Sequence, residues 1–289
     1  MYFASESCDT AAVCTALIEK IRARPELQWL ALVDGAFDYG RVGLSLPNER
    51  HLLYECNGMA DLLAVSPYLV VLTEQHDVEQ LKRELTTLVR HTKERPMLSF
   101  IGTVASASAV NENFRLFANA ATEDEQEFLL RFADTRVLAG LASALQQIYW
   151  DGMTCMLSEW VFIGRDGKSQ ALTLRADRVP LKNHFQLSST EFAMLVTNSE
   201  PDAIIEAIAE TNPEALPDIP RAAIYDKVAF SCSFAQKHKV AAFPDLVALA
   251  YLALLNEGRA LRNPKLSEML LGLQWTRGRL IDNLSDFVD

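Results

Sequence analysis

Apolar residues recur along the chain at two spacings, and each predicts a kind of element. In residues 7–24, Ala11, Cys14, Leu17, Ile18 and Ile21 return at three- and four-residue steps, which predicts a helix with one apolar face. Pro25 ends it. Residues 29–33 are apolar without a break and predict a strand covered on both faces, as in a parallel sheet. That run stops at Asp34-Gly35-Ala36, where Asp34 is expected to cap a turn and Gly35 to supply an unusual backbone angle. Residues 52–55 predict a short strand and residues 59–64 a single helical turn. Residues 67–72 predict a strand with Pro67 at its first position, where a missing donor is tolerated. Val78, Leu81, Leu85 and Leu88 mark a helix over 77–91. Residues 97–102 give the next strand. Residues 105–117 give a helix, followed by an acidic loop at 122–126.

Residues 127–148 organise the first half of the chain. Residues 128–132, Phe-Leu-Leu-Arg-Phe, predict a strand. After a short turn, Asp134 or Thr135 caps a helix whose apolar face carries Val137, Leu138, Leu141, Leu145 and Ile148. A strand entering an amphipathic helix through a capped turn is half of a βαβ unit. Residues 156–163 and 170–174 predict a hairpin around Gly164-Arg165-Asp166-Gly167-Lys168. Gly167-Lys168-Ser169 is similar to the tail of a phosphate-binding loop, but Phe162 stands where that loop needs glycine, so the stretch is a turn.

Beyond a linker at 176–187 the pattern becomes purely helical. Ser188 and Glu191 have the spacing of a capping box, and Ser199 is expected to start a separate helix. Further helices are predicted over 222–240, 244–256 and from 264 onward. The helix over 244–256 is apolar nearly all round, so it is central or part of an interface. The sequence therefore predicts an α/β N-terminal lobe at 1–175, with a mixed, largely parallel sheet and flanking helices. An all-α C-terminal lobe follows at 188–289.

Composition narrows the function. The 289 residues are 49% hydrophobic and 22% charged, ordinary for a globular protein. No apolar run is long enough to span a bilayer, and the start of the chain lacks the pattern of a signal peptide. Net charge is −11, so nucleic acid and anionic membrane are not expected as partners. Cys8, Cys14, Cys56, Cys155 and Cys232 form no CxxC pair and read as reduced thiols in a cytoplasmic protein. His51, His76, His91, His184 and His238 stand apart from one another and from metal-ligand spacings, so neither metal nor cofactor is expected. No GxSxG or GxGxxG motif occurs. Asp34, Glu55, Asp134, Asp151 and Glu159 are acids that could form an acid/base pair, but among 38 acidic residues such coincidences are expected. The structural alternative has Arg136 pairing with Asp134 or Asp34 to tie two strand ends together.

Three segments carry a resemblance. They are Leu32-Val33-Asp34-Gly35-Ala36, Val65-Ser66-Pro67-Tyr68-Leu69-Val70, and residues 130–138, Leu-Arg-Phe-Ala-Asp-Thr-Arg-Val-Leu. In this order the chain resembles the adaptor chaperones of the bacterial type VI secretion system, the Tap or TEC proteins. There the third segment usually reads FRFYDPRVL; Ala133 and Thr135 depart from it. The resemblance implies a non-enzymatic adaptor that binds the N-terminal region of a toxic effector and helps load it onto the VgrG spike. It also implies apolar partner-binding surface, for which Tyr251 and Leu255 are the candidates. Two alternatives stand beside it: an α/β enzyme with an acidic site near Asp34 and Asp134, and a scaffold or dimerisation module built on residues 246–255.

Overall fold

The computed structural model describes residues 2–55, 59–73, 77–182, 184–255 and 258–287. Cys56, His76 and the helix end expected at Asn256 lie outside the described residues. The chain divides into two compact units, Ser7–Val196 and Met1–Glu6 with Thr197–Asp289.

In the first unit the elements follow the order α1 (Thr10–Ala23), β1 (Gln28–Val33), β2 (Arg50–Leu52), β3 (Tyr68–Val71), α2 (Val78–His91), β4 (Leu98–Thr103), α3 (Ala107–Ala118), β5 (Asn119–Thr122), β6 (Glu127–Leu129), α4 (Thr135–Ala144), α5 (Gln147–Thr154), β7 (Leu157–Ile163), β8 (Ser169–Ala171) and β9 (Gln186–Leu187). Six strands form the main sheet in the order β2-β3-β1-β4-β7-β8, and every neighbouring pair is antiparallel. This corrects the expectation of a largely parallel sheet. Burial on both faces does not by itself fix parallel pairing. Here an antiparallel sheet is covered on both sides.

One face carries Leu30, Leu32, Leu69, Ile101, Trp160 and Phe162, which join Phe114, Phe117, Leu138, Leu141, Trp150 and Met153 of α3, α4 and α5 in one core. The pleat turns Ala31, Val70, Phe100 and Val161 to the other face, and register pairs them across the strands. On that face Lys20 of α1 and Arg24 at its C-cap reach Glu159 of β7, at 2.9 and 3.1 Å, and α1 packs along α2. Because β3 and β4 each run antiparallel to β1, they run the same way with β1 between them. The connection through α2 is thus a split crossover.

The strand expected at 128–132 is a second correction. Only Glu127–Leu129 is a strand, antiparallel to β5 in a small separate sheet, β6-β5-β9, whose β5–β9 pair is parallel. No βαβ half-unit begins here. The helix after it also stops early, since Leu145 is extended and α5 starts anew at Gln147, leaving Ile148 exposed.

Helix α6 (Ser189–Thr211) is continuous where two helices were expected, with Pro201 inside it. The capping box forms: Ser188 N–H and Oγ donate to Glu191 Oε2 at 2.9 and 2.6 Å, and Glu191 N–H returns to Ser188 Oγ.

The second unit holds α7 (Arg221–Lys237), α8 (Phe243–Leu255) and α9 (Pro264–Leu271). Helix α8 is central to its unit, with Leu246, Leu249, Leu252 and Ala253 in a core shared with Ile204, Ile208, Ile224 and Val228. Asp245 is fully buried there and accepts the N–H groups of Gly278 and Leu280 at 2.7 and 2.9 Å. Residues 2–6 belong to this unit. Ala4 lies in its core, and Glu6 accepts the N–H of Ala222 at the start of α7. No described helix is long and apolar enough to cross a membrane.

Candidate functional site

The three segments that carry the family resemblance meet at one end of the main sheet. Asp34 follows the last residue of β1, and its backbone N–H donates to the Met97 carbonyl just before β4. Its side chain caps a 3-10 turn, accepting Ala36 N–H at 3.0 Å. Gly35 presses against the second segment, for a Cβ there would stand 2.3 Å from the Ser66 carbonyl oxygen. It is a glycine of close approach; its φ is not positive, so the unusual backbone angle expected of it is absent. Pro67 is buried and enters β3 directly, while its carbonyl accepts Leu53 N–H at 2.9 Å.

The third segment closes the site from α4. Asp134 is the N-cap and accepts Arg136 N–H at 3.0 Å. Arg136 returns a two-pronged pair to the same carboxylate, Nε to Oδ1 at 3.0 Å and Nη2 to Oδ2 at 2.7 Å. Thr135 N–H donates to the Pro96 carbonyl, so α4 is stitched to the approach of β4. The tie between the strand ends comes from Arg131. Its Nη2 donates to Asp34 Oδ2 at 2.8 Å and lies 3.8 Å from Asp134 Oδ2. The structure thus brings together Asp34, Gly35, Pro67, Asp134 and Arg136, and adds Arg131 as the bridge. Sequence reasoning gave that role to Arg136. The available signal was an arginine inside an otherwise apolar run with no partner assigned.

The surroundings are aromatic and charged. Phe37 lies 5.2 Å from the Arg131 guanidinium and 5.7 Å from that of Arg136. At the end of the same 3-10 turn Asp38 receives Arg95 Nη1 at 2.7 Å and sits 2.9 Å from His91 Nε2. Arg95 also donates to the carbonyls of Phe37 and His91. Tyr68 lies beneath Arg50, 5.3 Å away. Both Asp34 and Asp134 are only 1% exposed. Burial raises the Asp34 pKa; Arg131 opposes this and the charge of Asp134 adds to it. Tyr54 is pushed up to about 12, by burial first and then by Asp34, against Arg131. Tyr68 is also pushed up to about 12, by burial and Asp38, against Arg50 and Arg95.

Residues 29–151 match the family described as a domain of unknown function, DUF4123. No curated protein and no solved structure matches the chain. The DUF4123 stretch runs from β1 to α5 and contains every residue of the cluster. Tyr251 and Leu255 fall outside it, on α8, where Leu255 is 59% exposed and Tyr251 packs partly against the helical core.

Chemically the cluster cross-links and presents a cation. A general acid or base must reach the proton it moves, and these carboxylates are enclosed and held by arginines. Among the described residues no group of three or more His, Cys, Asp or Glu is arranged to hold a metal.

Proposed function

We propose that the chain is a non-enzymatic adaptor of bacterial type VI secretion. It binds one toxic effector in the cytoplasm through the effector's N-terminal region and assists its loading onto the VgrG spike. The observation that carries this reading is the convergence of the three resembling segments. They lie far apart in sequence, yet Asp34 and Arg131 are joined across it at 2.8 Å and Gly35 seats against Ser66. Support also comes from the DUF4123 match, which spans all three segments; domains of this description occur in Tap proteins. The acidic-site enzyme is the weaker reading, because Asp34 and Asp134 are engaged by Arg131 and Arg136 and closed to a substrate.

The test is co-purification of the tagged protein with the effector encoded beside it, with and without VgrG. Effector that stays soluble and reaches the spike normally in a strain lacking this protein refutes the proposal.

A further inference from the structure

Arg131 differs from its neighbours in what it leaves open. Arg136 gives Nε and Nη2 to Asp134, and Arg95 is divided among Asp38 and two carbonyls. Arg131 gives only Nη2, to Asp34. Among the described residues its Nε and Nη1 meet no acceptor, and its side chain is 40% exposed. The carboxylate beneath and the Phe37 ring beside it fix the guanidinium plane, so little entropy remains to be lost on binding. The local charge also departs from that of the chain, whose net charge is −11. Among the described residues around Phe37 and Tyr68, the contacts set Arg50, Arg95, Arg131 and Arg136 against Asp34, Asp38 and Asp134.

We propose that Arg131 anchors a docking site for a carboxylate side chain on an acidic peptide segment of a partner polypeptide. A guanidinium with free N–H groups on a fixed plane matches the two oxygens of a carboxylate. Arg136 adds attraction from beside it. This deepens the adaptor reading and rests on it for the identity of the partner, though the site itself is testable alone.

The experiment is fluorescence anisotropy with a labelled octapeptide of alternating glutamate and leucine, against its glutamine counterpart, at low salt. The acidic peptide is expected to bind and the glutamine peptide to bind at least about tenfold more weakly, as for loss of a charged hydrogen bond. Asp34→Asn releases the donor now held by Asp34 and removes a buried negative charge, so binding should tighten several-fold. A purely structural Arg131 would give no gain. Arg131→Lys keeps the charge and loses the fork, so binding should weaken. The paired change D34N/R131Q leaves no unpaired buried charge and should abolish binding while the thermal transition persists. Arg83→Gln removes a positive charge from α2 and should leave binding unchanged. Equal binding of the two peptides, no binding of either, unaltered binding by D34N/R131Q, or a loss in R83Q as large as in R131K overturns the site. An effector that co-purifies equally with the wild type and D34N/R131Q sinks this inference alone; an effector that never co-purifies sinks the adaptor reading and leaves the peptide result to stand.

Discussion

Replacing Arg131 by glutamine should destabilise the sheet unit in a pH-dependent way. The change leaves the Asp34 carboxylate 1% exposed, with Ala36 N–H as its remaining partner and Asp134 close by. Breaking a fully buried ion pair typically costs about 3–5 kcal/mol. Arg131 is 40% exposed, so water already screens part of the attraction, and about 2 kcal/mol is the better figure. For a unit of this size that corresponds to a melting point about 4–8 °C lower. Asp34→Asn should cost only ~1 kcal/mol, because the half-exposed arginine rehydrates and the side-chain amide oxygen of the variant can still accept Ala36 N–H. The double variant should then resemble D34N, giving a coupling of about 2 kcal/mol.

The sign with pH follows from the raised pKa of Asp34. A carboxyl whose pKa is raised on folding takes up a proton. The stability this lends is full below its unfolded value, near 3.8, and is lost as pH rises through the folded value. Removing Arg131 pushes the folded value higher, so the R131Q deficit should grow as pH is raised from below the unfolded value towards neutral. D34N/R131Q should lack this slope. Thermal melts by circular dichroism across that range make the measurement. A deficit that is flat with pH, or strictly additive single variants, would refute the reasoning.

Three further outcomes are expected. Gly35→Ala drives a methyl to 2.3 Å from the Ser66 carbonyl and should cost about 1–3 kcal/mol in urea unfolding, as overpacking does. Glu191, 4% exposed, is raised by burial but lowered on balance by donors from Ser188 and Gln146. A depressed carboxyl stabilises above its unfolded value and loses that contribution as pH falls, so Glu191→Gln should cost ~2 kcal/mol at neutral pH and progressively less below 4.5, read by urea melts at several pH values. Tyr54 and Tyr68, both near 12, should stay protonated at about pH 11 in an absorbance titration, and Y54F/Y68F should remove the late phase without changing the early one.

The elements that were legible in the sequence owe their form to local physics. Asp77 caps α2 and Val78, Leu81, Leu85 and Leu88 give its stripe, so periodicity and cap agree. The turn after β1 was legible for the same reason, since Asp34 needs only its own backbone to cap it. Strand direction is different. The run of residues 29–33 records that both faces are covered, and it says nothing about whether β3 and β4 run with β1 or against it. The strand expected at 128–132 failed because Leu130 and Phe132 are apolar for the sake of the core; the ladder itself ends at Leu129. The helix break expected at Ser199 failed because Pro201 is accommodated inside α6. Arg131 stands out as a lone arginine in an apolar run, but its partner lies 97 residues away and nothing local names it.

The cluster also restrains the register of the sheet. Sliding β1 by one residue against β4 would turn Leu30 and Leu32 out of their core and carry Asp34 away from Arg131, leaving a buried charge unpaired. Gly35 adds a steric check, because its neighbour across the gap is a backbone carbonyl that cannot swing aside. Ion pair and close contact therefore penalise the same wrong arrangements, and the inner atoms of the site have little freedom to vary without unfolding the unit.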